Sequence, residues 1–389
     1  MKTTGKSQRV GLLIAMAALG GLLGCYPAPT TPSPEQDLAH AVQHVTDDLL
    51  HQLGPNAFAT QTTSIDPMLD ARTGQQTHAT QRVETELTRS LQATDQRLKL
   101  VPFGNAGASE ARWLISGTLT VLPQPDSFRL SVALSDRQNG IVIAQAVAPF
   151  KEANMDLSPT KFYSDSPSLV RDRSIDGYVK TAETPRGQPA DPLYMDQVPT
   201  SALLADALAA YNAEKWDDAL RLYNAAAQRK DGQQLRTFNG IYLTNVRMGN
   251  MKDAEEAFAK IATLGLATNN LAVKLLFRPG ATEFWPDPKV SALYPMWLRQ
   301  IARAALTSNG CLDVVGHTSR SGSEQVNDRL SLARATAVRE RMEHDAPGAT
   351  RRWKVTGVGY RQNLIGTGTD DERDALDRRV EFKVIPCPG

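Results

Sequence analysis

One apolar run sets the terms for everything after it. It extends from Val10 to Leu23, follows a basic start at Lys2, Lys6 and Arg9, and closes on Gly24-Cys25. At about 14 residues it is short of the roughly 20 that a spanning helix needs. No later segment is apolar for long enough to span a bilayer. The rest must fold as water-facing domains, and 389 residues leave room for two or three. Lys and Arg number 43 against 42 for Asp and Glu, a net charge of +1. Charge therefore gives no argument for an anionic membrane surface, and no nucleic-acid partner is expected.

The basic n-region, the apolar h-region and small Gly24 before Cys25 resemble a bacterial lipoprotein signal. The resemblance implies cleavage at Gly24–Cys25, acylation of the Cys25 thiol, and a mature protein anchored to a membrane without crossing it. An ordinary signal peptide with a chance cysteine and a true transmembrane anchor are the alternatives. Tyr26, not Asp, follows the cysteine; by resemblance to lipoprotein sorting this implies release to the outer membrane. The expected location is the periplasmic face of the cell outer membrane, with lipid as partner through acylated Cys25. Residues 1–24 are read as signal peptide. Residues 25–36, with Pro27, Pro29, Pro32 and Pro34, are read as an extended spacer that cannot hold a helix.

The expected fold class is multidomain α/β. In the first domain, 37–150, Leu38, Val42, Val45 and Leu49 fall on one helical face. A strand with Ile65, a turn around Asp70–Gly74 and a helix over 81–92 follow. Then come strands at 98–102, 113–122, 128–134 and 141–147, the last two separated by a turn with the Asn139-Gly140 signal. The order of these pieces, including Ile65-Asp66-Pro67-Met68-Leu69, Trp113-Leu114-Ile115-Ser116-Gly117 and Ser135 to Gly140, resembles the FlgO and LpoB lipoproteins. That resemblance implies a small α/β module that touches an envelope protein partner.

Residues 151–196 hold several prolines and no sustained period, and read as a linker or wrapping segment. Over 197–272 two stretches overlay at an offset of about 35, with Tyr211, Trp216, Ala219 and Tyr223 on Val246, Met251, Ala254 and Phe258. The pattern resembles a pair of tetratricopeptide repeats, which implies a groove for a peptide or partner helix; a helical spacer without ligand is the alternative.

Residues 273–389 carry the sharpest pattern. A strand with its turn is expected at Leu275–Thr282, a helix at about 291–307, then the strand Leu312-Asp313-Val314-Val315-Gly316-His317-Thr318. Asn327, Ser331, Arg334 and Ala335 lie on a second helix, and Val355–Tyr360 and Asp377-Arg378-Arg379-Val380-Glu381 close the chain. This order resembles an OmpA-like peptidoglycan-binding domain, implying an α/β sandwich with a βαβαβ mixed sheet. It also implies a ligand, the diaminopimelate side chain of the peptidoglycan stem peptide. That group ends in a carboxylate and an ammonium on one carbon, so a site needs a cation and an anion close together. Arg334 supplies a planar fork for the carboxylate. Asn327 lies two helical turns earlier on the same face, and Arg378 matches a family position near the ligand; Thr318 and Ser319 complete the expected set. The structural alternative is that Arg379 and Glu381 simply pair and that Asn327 bonds backbone.

One position departs from the family, which places Asp directly after the His-Thr pair; here it is Ser319. A serine keeps a hydrogen bond but brings no charge, a loss of about 1–2 kcal/mol. Asp313, about 20 Å away along the strand, cannot replace it; Glu324 is the remaining acid nearby. Beyond Cys25 only Cys311 and Cys387 remain. They flank two strands suited to antiparallel pairing, and export favours a disulfide; two buried unpaired thiols are the alternative.

His40, His44 and His51 share a helical face with Asp47 opposite the apolar stripe, and read as a solvated face rather than a metal site. His317 has no nucleophile at a recognisable elbow, and no phosphate loop or dinucleotide fingerprint is present. Neither catalysis, a metal nor a cofactor is expected. The combined expectation is a lipoprotein tethering envelope to wall, two attachments raising each other's effective concentration. The alternative is an adaptor or activator for a peptidoglycan synthase or envelope machine.

Overall fold

A computed structural model of the chain describes residues 36–54, 60–94, 97–307, 311–349, 353–369 and 373–387. The signal, Cys25 and the Pro-rich spacer lie outside them. Residues from Gln36 onward form one compact unit. Among the described residues no helix is long and apolar enough to cross a membrane.

The unit begins with α1 (Leu38–Leu53), capped by the Asp37 carboxylate, which accepts from the His40 amide. β1 (Gln61–Ile65), β2 (Leu69–Asp70), α2 (His78–Thr94), β3 (Leu98–Val101) and α3 (Asn105–Glu110) follow. The long strands β4 (Trp113–Val121), β5 (Ser127–Asp136) and β6 (Ile141–Lys151) complete a six-stranded mixed sheet. Its order is β3-β1-β4-β5-β6, with β2 paired to β4; the β1 pairings are parallel and β4-β5-β6 antiparallel. Gly140 takes a positive φ of 70° at the β5–β6 turn, a conformation that costs glycine little. Alternation along the strands divides the sheet into two faces. On one, Ile115, Leu130 and Val132 pack with Val42, Val45, Val83 and Leu87 from α1 and α2.

The other face is covered from 151–196 and beyond. This segment holds α4 (Lys161–Asp165) and α5 (Arg173–Ala182) and runs into α6 (Pro192–Asn212). Ile175, Tyr178, Tyr194 and Val198 bury Leu69 and Leu114. The Gly117 amide donates to the Tyr178 hydroxyl at 2.9 Å, locking α5 onto β4. α6 begins at Pro192, inside the segment 151–196 read from sequence as a linker or wrapping segment, which also holds α4 and α5. The Asp191 carboxylate accepts from the Leu193 and Tyr194 amides, and Pro192 occupies a first-turn position that needs no amide hydrogen.

α6 and α7 (Trp216–Ala227), then α8 (Leu235–Met248) and α9 (Met251–Ala267), form two helix pairs. Two of the overlaid pairs are core positions: Ala219 and Ala254 are fully buried, as are Tyr223 and Phe258, whereas Met251, overlaid on Trp216, is exposed. Trp297 of the next segment stacks on Phe258 with centroids 5.6 Å apart, and its Nε1 donates to the Tyr242 hydroxyl at 2.7 Å. The apolar core is therefore continuous from α4 through the helix pairs into the last sheet.

That sheet contains β7 (Leu271–Lys274), β8 (Cys311–Gly316), β9 (Lys354–Gly357) and β10 (Arg379–Ile385), ordered β7-β10-β8-β9. β10 runs antiparallel to both neighbours, and β8 and β9 are parallel. Between β7 and β8 lie α10 (Pro288–Ser291) and α11 (Tyr294–Thr307); α12 (Glu324–Glu343) joins β8 to β9. The first strand is a correction to the sequence reading. Leu271 to Lys274 pair with β10, whereas 275–282 form a loop with exposed Arg278, Pro279 and Gly280. The apolar run Leu271-Ala-Val-Lys-Leu-Leu-Phe277 is continuous in character, so periodicity alone does not say where pairing stops.

Candidate functional site

Two glycines bring α12 down onto the sheet. A Cβ on Gly316 would lie 2.1 Å from the Ser331 carbonyl oxygen, and one on Gly357 would lie 2.5 Å from the Leu332 nitrogen. Gly316 and Gly357 are register partners at the ends of β8 and β9. The helix therefore seats directly over the strand ends from which His317, Thr318 and Ser319 emerge. The Thr318 amide donates to the Gly359 carbonyl at 3.0 Å, and the Gly359 amide donates to Ser331 Oγ at 2.9 Å.

The five residues anticipated at the ligand, Thr318, Ser319, Asn327, Arg334 and Arg378, all line one cleft of about 670 Å³. Thr318, Ser319, Asn327 and Arg334 are buried in its wall. Arg334 is fixed by the loop after β7: its Nε donates to the Ala281 carbonyl at 3.1 Å and its Nη2 to the Arg278 carbonyl at 3.2 Å. Its guanidinium also lies 4.8 Å from the centre of the Phe277 ring. Asn327 Nδ2 donates to the carbonyls of Ser321 and Ser323 at 2.7 and 3.1 Å, so the amide shapes the loop that carries Ser319. Ser319 Oγ lies 3.4 Å from Ser321 Oγ. The Thr318 hydroxyl is buried and has no hydrogen-bond partner among the described residues.

Lys274, Tyr163 and Trp285, not anticipated from sequence, also line this cleft. Lys274 Nζ donates to the Ser164 carbonyl at 2.8 Å and the Tyr163 carbonyl at 3.1 Å. Burial pushes its ammonium down to about 8, with Asp165 opposing. The cleft therefore holds a second fixed cation near neutral pH.

The neighbouring acids are committed elsewhere. Asp313 accepts from Thr356 Oγ1 at 2.8 Å, on the far part of β8. Glu324 lies 3.1 Å from Arg361 on the exposed side of α12. Arg379 and Glu381 pair on the sheet at 2.6 Å, and Lys383 reaches the same carboxylate at 2.8 Å. Burial pushes the Glu381 carboxyl up, but His317, Arg379 and Lys383 outweigh it and hold the group well below the usual carboxylate range. His317 Nε2 lies 3.3 Å from Glu381 Oε1; burial pushes the imidazole down, with Glu381 opposing. Asp377 accepts from the amides of Leu364, Ile365 and Gly366 at 2.6, 3.1 and 2.7 Å, shaping the loop before β10.

Cys311 and Cys387 are joined in a disulfide, with Cα atoms 4.9 Å apart. Cys311 faces Ile385 in the antiparallel register of β8 and β10. His40, His44 and His51 are exposed on α1, and His40 Nδ1 lies 2.8 Å from Asp37 Oδ1.

No protein-family model and no curated protein matches the chain. Solved structures match part of it. The cell wall anchor of the T6SS from Pseudomonas aeruginosa is 24% identical over 30% of this chain and 80% of its own, with a TM-score of 0.24. The peptidoglycan-associated lipoprotein from Burkholderia pseudomallei is 20% identical over 29% of this chain and 89% of its own, with a TM-score of 0.25. The LpoB C-terminal domain from Salmonella enterica is 16% identical over 30% of this chain and 99% of its own, with a TM-score of 0.24.

Proposed function

We propose that this protein is a non-enzymatic outer-membrane lipoprotein, anchored by acylated Cys25, that binds peptidoglycan non-covalently through the cleft beside α12. The observation that carries the reading is that Thr318, Ser319, Asn327, Arg334 and Arg378, marked from the sequence alone, converge on one cleft. The unpartnered Thr318 hydroxyl adds a polar group that a ligand would satisfy.

In this reading the diaminopimelate carboxylate meets Arg334, whose plane is already set by two loop carbonyls. Little side-chain order is lost on binding such a prefixed fork. The ammonium lies toward the loop of Ser319, where a neutral hydroxyl stands in for a carboxylate. The cleft therefore selects the anionic end of the ligand more strongly than the cationic end. Binding at this end and lipid at the other hold membrane and wall together.

The test is co-sedimentation of the chain lacking residues 1–35 with isolated sacculi, with free meso-diaminopimelate as competitor. Displacement by the competitor is expected. Sedimentation that the competitor leaves unchanged contradicts this assignment of the cleft.

A further inference from the structure

A second cavity, of about 480 Å³, lies where the loop after β1, α2, α5, α6 and α8 meet, and shares only Tyr163 with the lining of the cleft just described. Its size falls in the range of small-molecule sites. The acids Asp66 and Glu84 line it. Asp66 is 7% exposed, and its Oδ2 accepts from the Tyr194 hydroxyl at 2.8 Å. Glu84 Oε2 accepts from the Met68 amide at 2.9 Å. Burial pushes both carboxyls up, Asp66 to about 7 against the opposing Tyr194 hydrogen bond and the Arg236 charge, and neither acid is held in an ion pair among the described residues.

The cation in the lining is not bound to them. Arg236 Nη2 donates to Ser201 Oγ at 3.4 Å, and Arg236 makes no ion pair with a carboxylate among the described residues. Its buried Nε has no hydrogen-bond partner among the described residues. Neither has the hydroxyl of Tyr223, which lines the same cavity and is 1% exposed. Two buried polar groups left unsatisfied in one cavity are costly and mark a missing partner. Arg236 Nε can only donate, so that partner is an acceptor. At the acids the missing partner is a cation. Tyr178, Tyr194 and Phe103 add aromatic surface suited to an ammonium or an apolar side chain.

We infer that this cavity binds a small zwitterion of the amino-acid or short-peptide class. Its ammonium faces Asp66 and Glu84, and its carboxylate faces Arg236 and Tyr223. Ala209 and Ala213, exposed at the rim, give a path from solvent. The inference does not rest on wall binding by the C-terminal cleft.

The test is thermal-shift and calorimetric titration of the chain lacking residues 1–35 with the common free amino acids and dialanine. Propylamine and propionate serve as single-charge controls. At least one zwitterion is expected to stabilise the protein and to bind more tightly than either control. Tyr223→Phe removes only an unsatisfied hydroxyl, so the fold is kept while affinity falls about tenfold. Arg236→Gln is expected to abolish the shift, and Arg334→Ala, in the other cleft, to leave it intact. The inference is overturned if no zwitterion in the panel binds, if the controls bind as well, or if Tyr223→Phe binds like the parent.

Discussion

Asn327 Nδ2 donates to the Ser321 carbonyl at 2.7 Å, so the first turn of α12 holds the loop on which Ser319 sits. The side chain thus acts on the cleft through the backbone. Asn327→Ala removes two donated bonds from a buried amide, and about 1–2 kcal/mol of stability should go with them. Binding to sacculi should weaken while circular dichroism stays native. Unchanged binding would show that the loop holds its shape without Asn327.

Ser319 gives a test in the opposite direction. Ser319→Asp places a charge where the hydroxyl now lies, in a wall that also holds Lys274 and Arg334. A charge-assisted bond to the ammonium should tighten wall binding about 5- to 30-fold. If sedimentation with sacculi does not improve, the ammonium does not sit at Ser319.

The disulfide between Cys311 and Cys387 spans 76 residues. A closed loop of that length removes enough unfolded-state entropy to contribute about 4 kcal/mol. The paired change Cys311→Ser and Cys387→Ser should lower the denaturation midpoint accordingly. An unchanged midpoint would mean that the bond adds nothing to the sheet's stability.

Burial raises the Asp66 carboxyl from 3.8 to about 7. Between those values the folded protein keeps a proton that the unfolded chain has lost. The stability contributed by this group is therefore complete below about pH 4, falls as pH rises toward 7, and is level above it. Asp66→Asn should flatten that part of the stability-versus-pH curve, by as much as about 4 kcal/mol. Parallel curves for parent and variant would show that Asp66 ionises freely in the folded state.

How far the sequence could be read depended on whether the partners were local. Asn327 and Arg334 were legible because a seven-residue spacing on one helix fixes their common face. Cys311 and Cys387 were legible because strand ends were. Tyr163 and Lys274 were not, since they reach the cleft from α4 and the end of β7, far from α12 in the chain. The covering of the first sheet by α5 and α6 was hidden because 151–196, with several prolines and no sustained period, read as an interruption between domains. Pro192 sits in the first turn, where it is tolerated, and Pro199 is accepted inside α6. Tyr178 and Val198 gave no periodic signal across that interruption.

The account turns on Arg334, whose fixed guanidinium is assigned to the ligand carboxylate. The direct measurement is sedimentation with purified sacculi of the chain lacking residues 1–35, parent against Arg334→Ala, with native circular dichroism for both. The account predicts that the parent pellets with the walls and that the variant stays mostly in the supernatant. A parent that does not pellet, or a folded variant that pellets equally, would contradict it.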